Sequence, residues 1–273
     1  MEIITPKTFL STLEHQRVRE IISGFERWNQ VALPLMGAMS QPYISIQQAL
    51  VEAMCGRVGS TVLDYGCGTG AIAAMLVRSN QRPSRIVAVE PDRATLKQVP
   101  STLSRAGFHG RVVLVNSSSM VPLPFRDGEI DAIVSGLGAI IYAGFHLNNS
   151  HCAEGKAALI ECLKDCHRAL KPDGYLGFSS LVPDPDFRAI KRQSILSLLK
   201  GLRLKALWLA LKNVGKIEQA SQFMKEFAQV GWAHYLTVSQ WREALQLAGF
   251  RLVDVRCGSY AGQGLVFVAQ KSA

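Results

Sequence analysis

The sequence predicts an α/β fold: a doubly wound, mostly parallel sheet with N-terminal helices and a helical insertion. Three observations support it. An apolar run enters a glycine-rich turn at residues 62–70, a second apolar run ends in the acid Glu90, and short apolar runs then alternate with helical segments as far as residue 181. Because ligands of open α/β sheets collect at the carboxyl ends of the strands, the candidate site residues are sought there.

The first strand ends in the sequence Val-Leu-Asp-Tyr-Gly-Cys-Gly-Thr-Gly at residues 62–70. Gly66, Gly68 and Gly70 lack a Cβ, so the chain can turn sharply and bring its amides against a ligand. Asp64 can accept hydrogen bonds from a cationic or amino group at the turn. The helix predicted to follow points its positive end into the same space. A dinucleotide-binding loop would instead read G-x-G-x-x-G.

This turn resembles the first motif of the class I S-adenosylmethionine-dependent methyltransferases, although an ordinary tight strand-to-helix turn is the alternative. The resemblance implies S-adenosyl-L-methionine as cofactor, with the glycine turn and Cys67 against its methionine part. It also implies a seven-stranded Rossmann-like sheet whose last strand is antiparallel. Similarity to the family covers residues 60–181 well and 237–270 moderately.

The second strand, Ile-Val-Ala-Val at residues 86–89, leads into Glu90, Pro91 and Asp92. Its apolar run predicts a buried parallel strand. Glu90 follows Asp64 by about one strand-helix-strand unit, and an acid at this place in a doubly wound sheet reaches the ribose hydroxyls of a nucleoside. Glu90 and Pro91 are therefore predicted to bind cofactor, and Asp92 to cap the next helix.

The third strand, residues 111–115, precedes a loop that resembles the family's adenine loop, with Leu-Pro-Phe at residues 123–125. Relatives usually carry an acid there for the adenine amine, whereas this chain has serines at 117–119. The resemblance assigns Ser118 and Ser119 to that contact, with weaker bonds than an acid would make. Met120 is predicted either to lie along the base or to pack in the core.

The remaining core elements follow the same alternation. Residues 130–135 predict the fourth strand, and Ser135 opens the loop at its end as a cofactor-binding candidate. A helix predicted to end at Leu170 is followed by a break at 171–174 and a fifth strand over 175–181. Further predictions are a capping box at Thr237-Val-Ser-Gln240, a helix through Leu247, and final strands over 251–258 and 264–270.

The length of 273 residues and 48% apolar content fit one domain with two elaborations. No signal peptide is recognised at residues 1–6, and no apolar run approaches the ~20 residues of a membrane span, so a cytoplasmic location is expected. The six cysteines form no C-x-x-C pair, so no metal site is expected. The predicted parts are an N-terminal helical cover (1–59), a cofactor-binding core (60–181), a basic helical lid insertion (186–230) and a last helix with two strands (237–273).

The positive charge is concentrated in one segment. Residues 188–216 contain eight Lys or Arg and no acid, which accounts for eight of the nine net charges. They also carry eleven Leu, Ile or Trp at mostly helical spacing. In small-molecule methyltransferases an insertion here commonly forms a lid over the acceptor pocket. The alternatives are peripheral contact with an anionic membrane and a helical pair with a solvated basic rim.

The N-terminal segment predicts helices over 17–27 and 44–54, from rough helical periodicity. Relatives cover the cofactor with such helices, and Tyr43 is a candidate to touch it.

Methyl transfer requires mainly that an acceptor atom lie in line with the methyl group and that water be excluded. A general base would help if the acceptor is a hydroxyl. The catalytic candidates are His146, Tyr142 and His234, with His151 and Tyr235 nearby; an ordinary packing role is open for each.

Absent motifs narrow the acceptor. The chain lacks Asn/Asp-Pro-Pro-Tyr after the fourth strand and has no Pro-Cys pair, which argues against methylation of nucleic-acid bases. We therefore expect a small, partly apolar acceptor, such as a natural product, quinone or lipid-like molecule, methylated on O, N or C. The alternatives are a tRNA or rRNA methyltransferase and a non-catalytic cofactor-binding or partner-binding protein. The oligomeric state is not indicated.

Overall fold

The computed structural model describes residues 41–79, 81–117, 121–147, 152–201, 204, 207–208, 212 and 214–272. The predicted helix over 17–27 lies outside them. The elements are α1 (Gln41–Ala53), β1 (Thr61–Tyr65), α2 (Ala71–Arg78), β2 (Arg85–Glu90), α3 (Arg93–Leu96), α4 (Val99–Arg105), β3 (Arg111–Asn116), β4 (Ile130–Gly136), β5 (Phe145–Leu147), β6 (Cys152–Glu154), α5 (Gly155–Ala169), β7 (Leu170–Leu181), α6 (Phe187–Lys200), α7 (Val214–Gln229), α8 (Val238–Leu247), β8 (Phe250–Ser259) and β9 (Gly264–Lys271).

The predicted fold class is confirmed. Within the described residues, a seven-stranded sheet has the order β3-β2-β1-β4-β7-β9-β8, and β9 runs antiparallel to both of its neighbours. The strands from β3 to β7 are parallel. Their carboxyl ends therefore meet at one edge of the sheet, and this edge carries Asp64 and Glu90.

Apolar side chains cover both faces of the sheet. On one face, Phe178, Trp241 and Phe267 form an aromatic group with ring centroids 4.8 to 5.8 Å apart, packed with residues of α5 and α8. On the other face, α1 packs with Ile190 of α6 and Met224 of α7. The N-terminal helix and the insertion thus share one side of the sheet.

Two local features differ from the sequence prediction. The segment 171–174 was predicted to break the preceding helix and to separate it from a strand over 175–181, but β7 already begins at Leu170, directly after the helix, and runs through this segment. Asp173 takes a left-handed φ of 60°, and the pairing with β4 shifts register there, so the strand bends instead of ending. The antiparallel pair β5 and β6 was not predicted.

The last helix begins as predicted. Thr237 accepts a hydrogen bond from the Gln240 amide, and the Gln240 side chain returns one to the Thr237 amide. Asp92 caps α3 in the same manner, through the Ala94 amide. Among the described helices, none is long and apolar enough to span a membrane.

Candidate functional site

The glycine turn after β1 has the backbone that its sequence predicts. Gly66, Gly68 and Gly70 have φ values of 73°, 53° and 81°, in the left-handed region that residues with a Cβ rarely adopt. A Cβ on Gly66 would lie 2.6 Å from the backbone nitrogen of Ala139. The turn is therefore confined by the loop after β4, which is a constraint that the sequence did not reveal.

Asp64 is the penultimate residue of β1 and is 1% exposed. Its Oδ2 accepts a hydrogen bond of 3.3 Å from the amide of Ala73, in the first turn of α2. Burial raises the pKa of this carboxyl to about 7; the Ala73 bond opposes the shift and the charge of Glu90 adds to it. Near neutral pH, Asp64 is therefore only partly ionised unless a donor or cation joins it.

Glu90 lies at the end of β2, opposite the glycine turn. Its Oε2 accepts from the Gly68 amide at 3.0 Å and its Oε1 from the Asp92 amide at 3.2 Å. Burial nevertheless raises its pKa. A carboxylate has about four acceptor positions, so Glu90 can accept two further hydrogen bonds from a ligand.

The two buried carboxylates lack a cation. In the part of the chain that the structure describes, neither Asp64 nor Glu90 forms an ion pair, and no Lys or Arg is among the groups that shift their pKa values. Buried charge without a partner is costly. A positively charged ligand with hydroxyl groups would satisfy both side chains, as the amino group, sulfonium and ribose of S-adenosylmethionine would.

The other described cofactor candidates hold the loops of this edge together. Ser135 donates to the carbonyl of Tyr65 at 2.8 Å and is 1% exposed. Cys67 packs in a core cluster with Leu96, its thiol on the carbonyl of Gly68 at 3.4 Å. Pro91 is partly buried, at the end of β2. Cys67 can therefore contact a ligand only through its backbone atoms.

Asn116, at the end of β3, was missed by the sequence reasoning. Its side-chain amide donates to the carbonyls of Glu90 and Pro91 at 3.0 and 2.8 Å. It therefore fixes the backbone that carries Glu90. The sequence did contain a signal for Asn116, because it is a polar residue at the carboxyl end of a predicted strand.

Tyr43 lies in the first turn of α1 and is buried, with its phenol near the carboxylates. Burial raises its pKa, and Asp64, Tyr142 and Glu90 contribute, so these groups lie within electrostatic range of one another. Contact of Tyr43 with the cofactor, expected from the N-terminal cover, stays a prediction.

Four tyrosines from distant segments meet at this place. Tyr142 follows β4, Tyr235 precedes α8, and Tyr260 lies in the turn between β8 and β9. Besides burial, Tyr43 and Tyr142 raise the pKa of Tyr260, and Tyr142 and Tyr260 raise that of Tyr235. We call Tyr43, Tyr142, Tyr235 and Tyr260 the tyrosine cluster. Burial raises the pKa of all four, that of Tyr142 to about 12.

The predicted catalytic residues have different surroundings. His234 is 7% exposed, burial lowers its pKa to about 4, and its Nε2 has no hydrogen-bond partner among the described residues. Tyr142 packs edge-on against Phe227 of α7 at 6.1 Å. His146 lies on β5, and its side chain is outside the described part, as are Ser118, Ser119, Met120 and His151. These assignments remain predictions.

Residues 62–174 match the family model described as "Methyltransferase domain". Two curated relatives are a biotin biosynthesis bifunctional protein BioHC of Teredinibacter turnerae, 26% identical over 136 residues, and an uncharacterized methyltransferase of Geobacillus sp., 24% identical over 149 residues. The matches cover 48% and 54% of this chain, but only 21% and 63% of those proteins. The chain therefore spans less than two thirds of either relative.

Solved structures share the fold. One is the 1,6-didemethyltoxoflavin-N1-methyltransferase of Burkholderia thailandensis, with its substrate and S-adenosylhomocysteine bound. It superposes with a TM-score of 0.54 at 18% identity, over 100% of this chain and 93% of the other. At this identity the likeness concerns the fold alone.

Proposed function

Because residues 62–174 form a methyltransferase domain of the class I, Rossmann-like kind, with S-adenosylmethionine as its cofactor, we propose that this protein transfers a methyl group to a small, partly apolar acceptor. The motif-based recognition of the family and of its cofactor is confirmed by these comparisons. The acceptor, and the part each residue plays, are the proposal.

One observation carries it: the glycine turn is flanked by two buried carboxylates that have no described cation. Glu90 offers unused acceptor positions to ribose hydroxyls, and Asp64 offers a negative charge to the amino group. When bound, S-adenosylmethionine supplies an electrophilic methyl group on a positively charged sulfur. The chain's own task is then to orient the acceptor and to exclude water.

The tyrosine cluster supports an acceptor site next to the carboxylates. It is closed from the outside by α7, because Met224 packs in the cluster that includes Tyr43 and Tyr260, and Phe227, one turn later, packs against Tyr142. Ile190 of α6 joins the same apolar group. We propose on this basis that α6 and α7 act as the lid predicted from the sequence.

The nucleic-acid alternative is less favoured by this arrangement. Basic residues of the insertion lie in solvent or in an ion pair: Lys200 and Lys212 are exposed, with Lys212 over the ring of Trp208 at 5.1 Å, and Lys191 pairs with Glu218. An acceptor that enters between the lid and the tyrosines meets apolar and phenolic groups instead. Contact of the exposed face with a membrane remains a prediction.

Calorimetric titration with S-adenosylhomocysteine tests the proposal. Glu90→Ala should weaken binding by roughly tenfold or more, because buried ribose hydroxyls would lose a charged acceptor. The matched control is Glu129→Ala, which removes a partly exposed carboxylate that pairs with Arg85 at 3.0 Å, and it should bind like the parent. Equal affinity of Glu90→Ala and the parent would refute the assignment of Glu90. A parent that binds neither S-adenosylmethionine nor its demethylated product would refute the function.

A further inference from the structure

The hydroxyls of Tyr142 and Tyr235 face each other, and Tyr142 also lies within electrostatic range of Tyr43, the phenol on which Asp64 and Glu90 act. The two hydroxyls interact, yet the Tyr235 hydroxyl is buried and lacks a regular hydrogen bond to any described residue. Burial of a hydroxyl without a regular hydrogen bond costs free energy. A ligand atom that accepts a hydrogen bond from this hydroxyl would recover that free energy.

The backbone around Tyr235 is held firmly. The amide of His234 donates to the carbonyl of Ile141 at 2.7 Å, and the hydroxyl of Ser180 donates to the carbonyl of His234 at 3.3 Å. The segment before α8 is thereby attached both to the loop after β4 and to the carboxyl end of β7. These two hydrogen bonds hold the backbone next to Tyr235 and so restrict the position of its side chain.

Tyr260 is held in place at a conformational cost. Its φ of 50° lies in the left-handed region, and so does the φ of 60° of Ala261. The Tyr260 amide donates to the Ser45 hydroxyl of α1 at 3.3 Å, and the side chain is 4% exposed. Strained non-glycine residues persist where the surrounding contacts over-determine them, and they concentrate at ligand sites.

The charge of the tyrosine cluster decides which acceptors fit. Among the described residues, no Lys or Arg contributes to the electrostatic surroundings of the four phenols, and Asp64 and Glu90 contribute to those of Tyr43. All four phenols stay protonated at neutral pH, because burial raises their pKa values. The cluster therefore donates hydrogen bonds from neutral groups and offers no positive charge to an anion.

We propose that the Tyr142–Tyr235 hydroxyl pair is the specificity-determining contact for the methyl acceptor, and that it selects an uncharged ring compound bearing a hydrogen-bond-accepting oxygen or nitrogen. This rests on the proposed function, which supplies the reason for an acceptor beside Asp64. The aromatic side chains of Tyr43 and Tyr260 pack against the ring, and Phe227 of α7 closes over Tyr142. Carboxylate or phosphate compounds would have to be buried among neutral phenols, without a positive charge to pair with.

The test measures ligand binding, so it requires no knowledge of the physiological acceptor. The probes are nicotinamide, which is uncharged, and nicotinate, which has the same ring and a carboxylate. Each is titrated by ligand-observed NMR into the protein saturated with S-adenosylhomocysteine. We expect nicotinamide to bind at least ~5-fold more tightly than nicotinate, because the buried phenols give the anion no positive charge in exchange for its hydration.

Tyr235→Phe removes only the hydroxyl and should weaken nicotinamide roughly three- to tenfold, the loss of one neutral hydrogen bond, while S-adenosylhomocysteine binds within ~2-fold of the parent. Tyr142→Phe should act in the same direction. The control is Tyr175→Phe, at the opposite edge of the sheet, where Tyr175 lies under Arg57 at 5.8 Å; it should change neither ligand.

Three results would overturn the inference: nicotinate binding as tightly as nicotinamide, no binding of either probe at millimolar concentration, or unchanged nicotinamide binding in both phenylalanine variants. Each leaves the proposed function standing as long as S-adenosylhomocysteine binds. If S-adenosylhomocysteine fails to bind the parent, the proposed function is refuted and the inference falls with it.

Discussion

Replacing Asp64 by asparagine should make the cofactor-free protein more stable and lower its affinity for the cofactor. The variant keeps the shape of the side chain and an oxygen for the Ala73 amide, which the carboxylate now accepts at 3.3 Å. It removes the charge whose burial raises the pKa of Asp64 from 3.8 to about 7. The ionised carboxylate of Asp64 therefore destabilises the cofactor-free fold, as is common for groups that serve ligand binding.

The magnitude follows from linkage. A folded-state pKa above the unfolded value means that the folded protein binds more protons between those two values, so its stability falls as pH rises from about 4 to about 7. The shift of about three units corresponds to an upper limit of roughly 4 kcal/mol above pH 7. Because the charged bond to Ala73 is also lost, we expect Asp64→Asn to be more stable than the parent by about 1–3 kcal/mol at pH 8.

The assay is urea unfolding of parent and variant between pH 5 and pH 8, without cofactor. The difference in unfolding free energy should grow as pH rises and level off above pH 7, while the affinity of Asp64→Asn for S-adenosylmethionine falls by roughly tenfold or more through loss of a charged partner. Asp131→Asn is the control of opposite sign. Burial of Asp131 is outweighed by hydrogen bonds from Lys171 and Thr61, which lower its pKa, so the stability that Asp131 contributes is fully present above the ordinary pKa of an aspartate. Asp131→Asn should therefore be less stable than the parent by an amount that stays constant between pH 5 and pH 8. An Asp64→Asn protein less stable than the parent at pH 8, or with unchanged affinity, would refute the reasoning.

Two further predictions concern the glycine turn and the insertion. Gly66→Ala should destabilise the protein more than Gly56→Ala by about 1–3 kcal/mol in the same urea assay. Both glycines have φ near 74°, but only a Cβ at residue 66 would meet a neighbour, at 2.6 Å from the Ala139 nitrogen. Equal losses of stability would show that this close approach does not matter. The amides of α7 should exchange hydrogen more slowly once S-adenosylhomocysteine and a bound ring compound hold Met224 and Phe227 in place, with α5 as the unchanged reference helix; no change in α7 would contradict the lid proposal.

The site residues that the sequence identified are those whose partners lie within one strand-turn-helix unit. Gly66, Gly68 and Gly70 need left-handed backbone in a tight turn, and Glu90 ends the next buried strand. These properties depend on local conformation and on the parallel pairing that apolar runs predict. The sheet order and the direction of its last strand followed from resemblance to the family.

Other properties needed the packed chain. Nothing near Tyr260 in the sequence indicates that it meets Tyr43, more than 200 residues earlier, because that contact depends on α1 lying across the end of the β8–β9 hairpin. The same holds for the pKa of Asp64, since only burial distinguishes it from an exposed aspartate.

The sequence by itself therefore determined the alternating α/β class and the positions of the glycine turn and of Glu90, because periodicity and turn chemistry are local and repeat in one alternating pattern; the cofactor followed from the resemblance to the family. Only the tertiary structure decided which side chains surround the proposed acceptor site. Four tyrosines from four separate segments converge where α1, the loop after β4, the segment before α8 and the β8–β9 turn pack together. Such convergence is set by long-range burial of apolar surface, which leaves no periodic signal at any one of the positions.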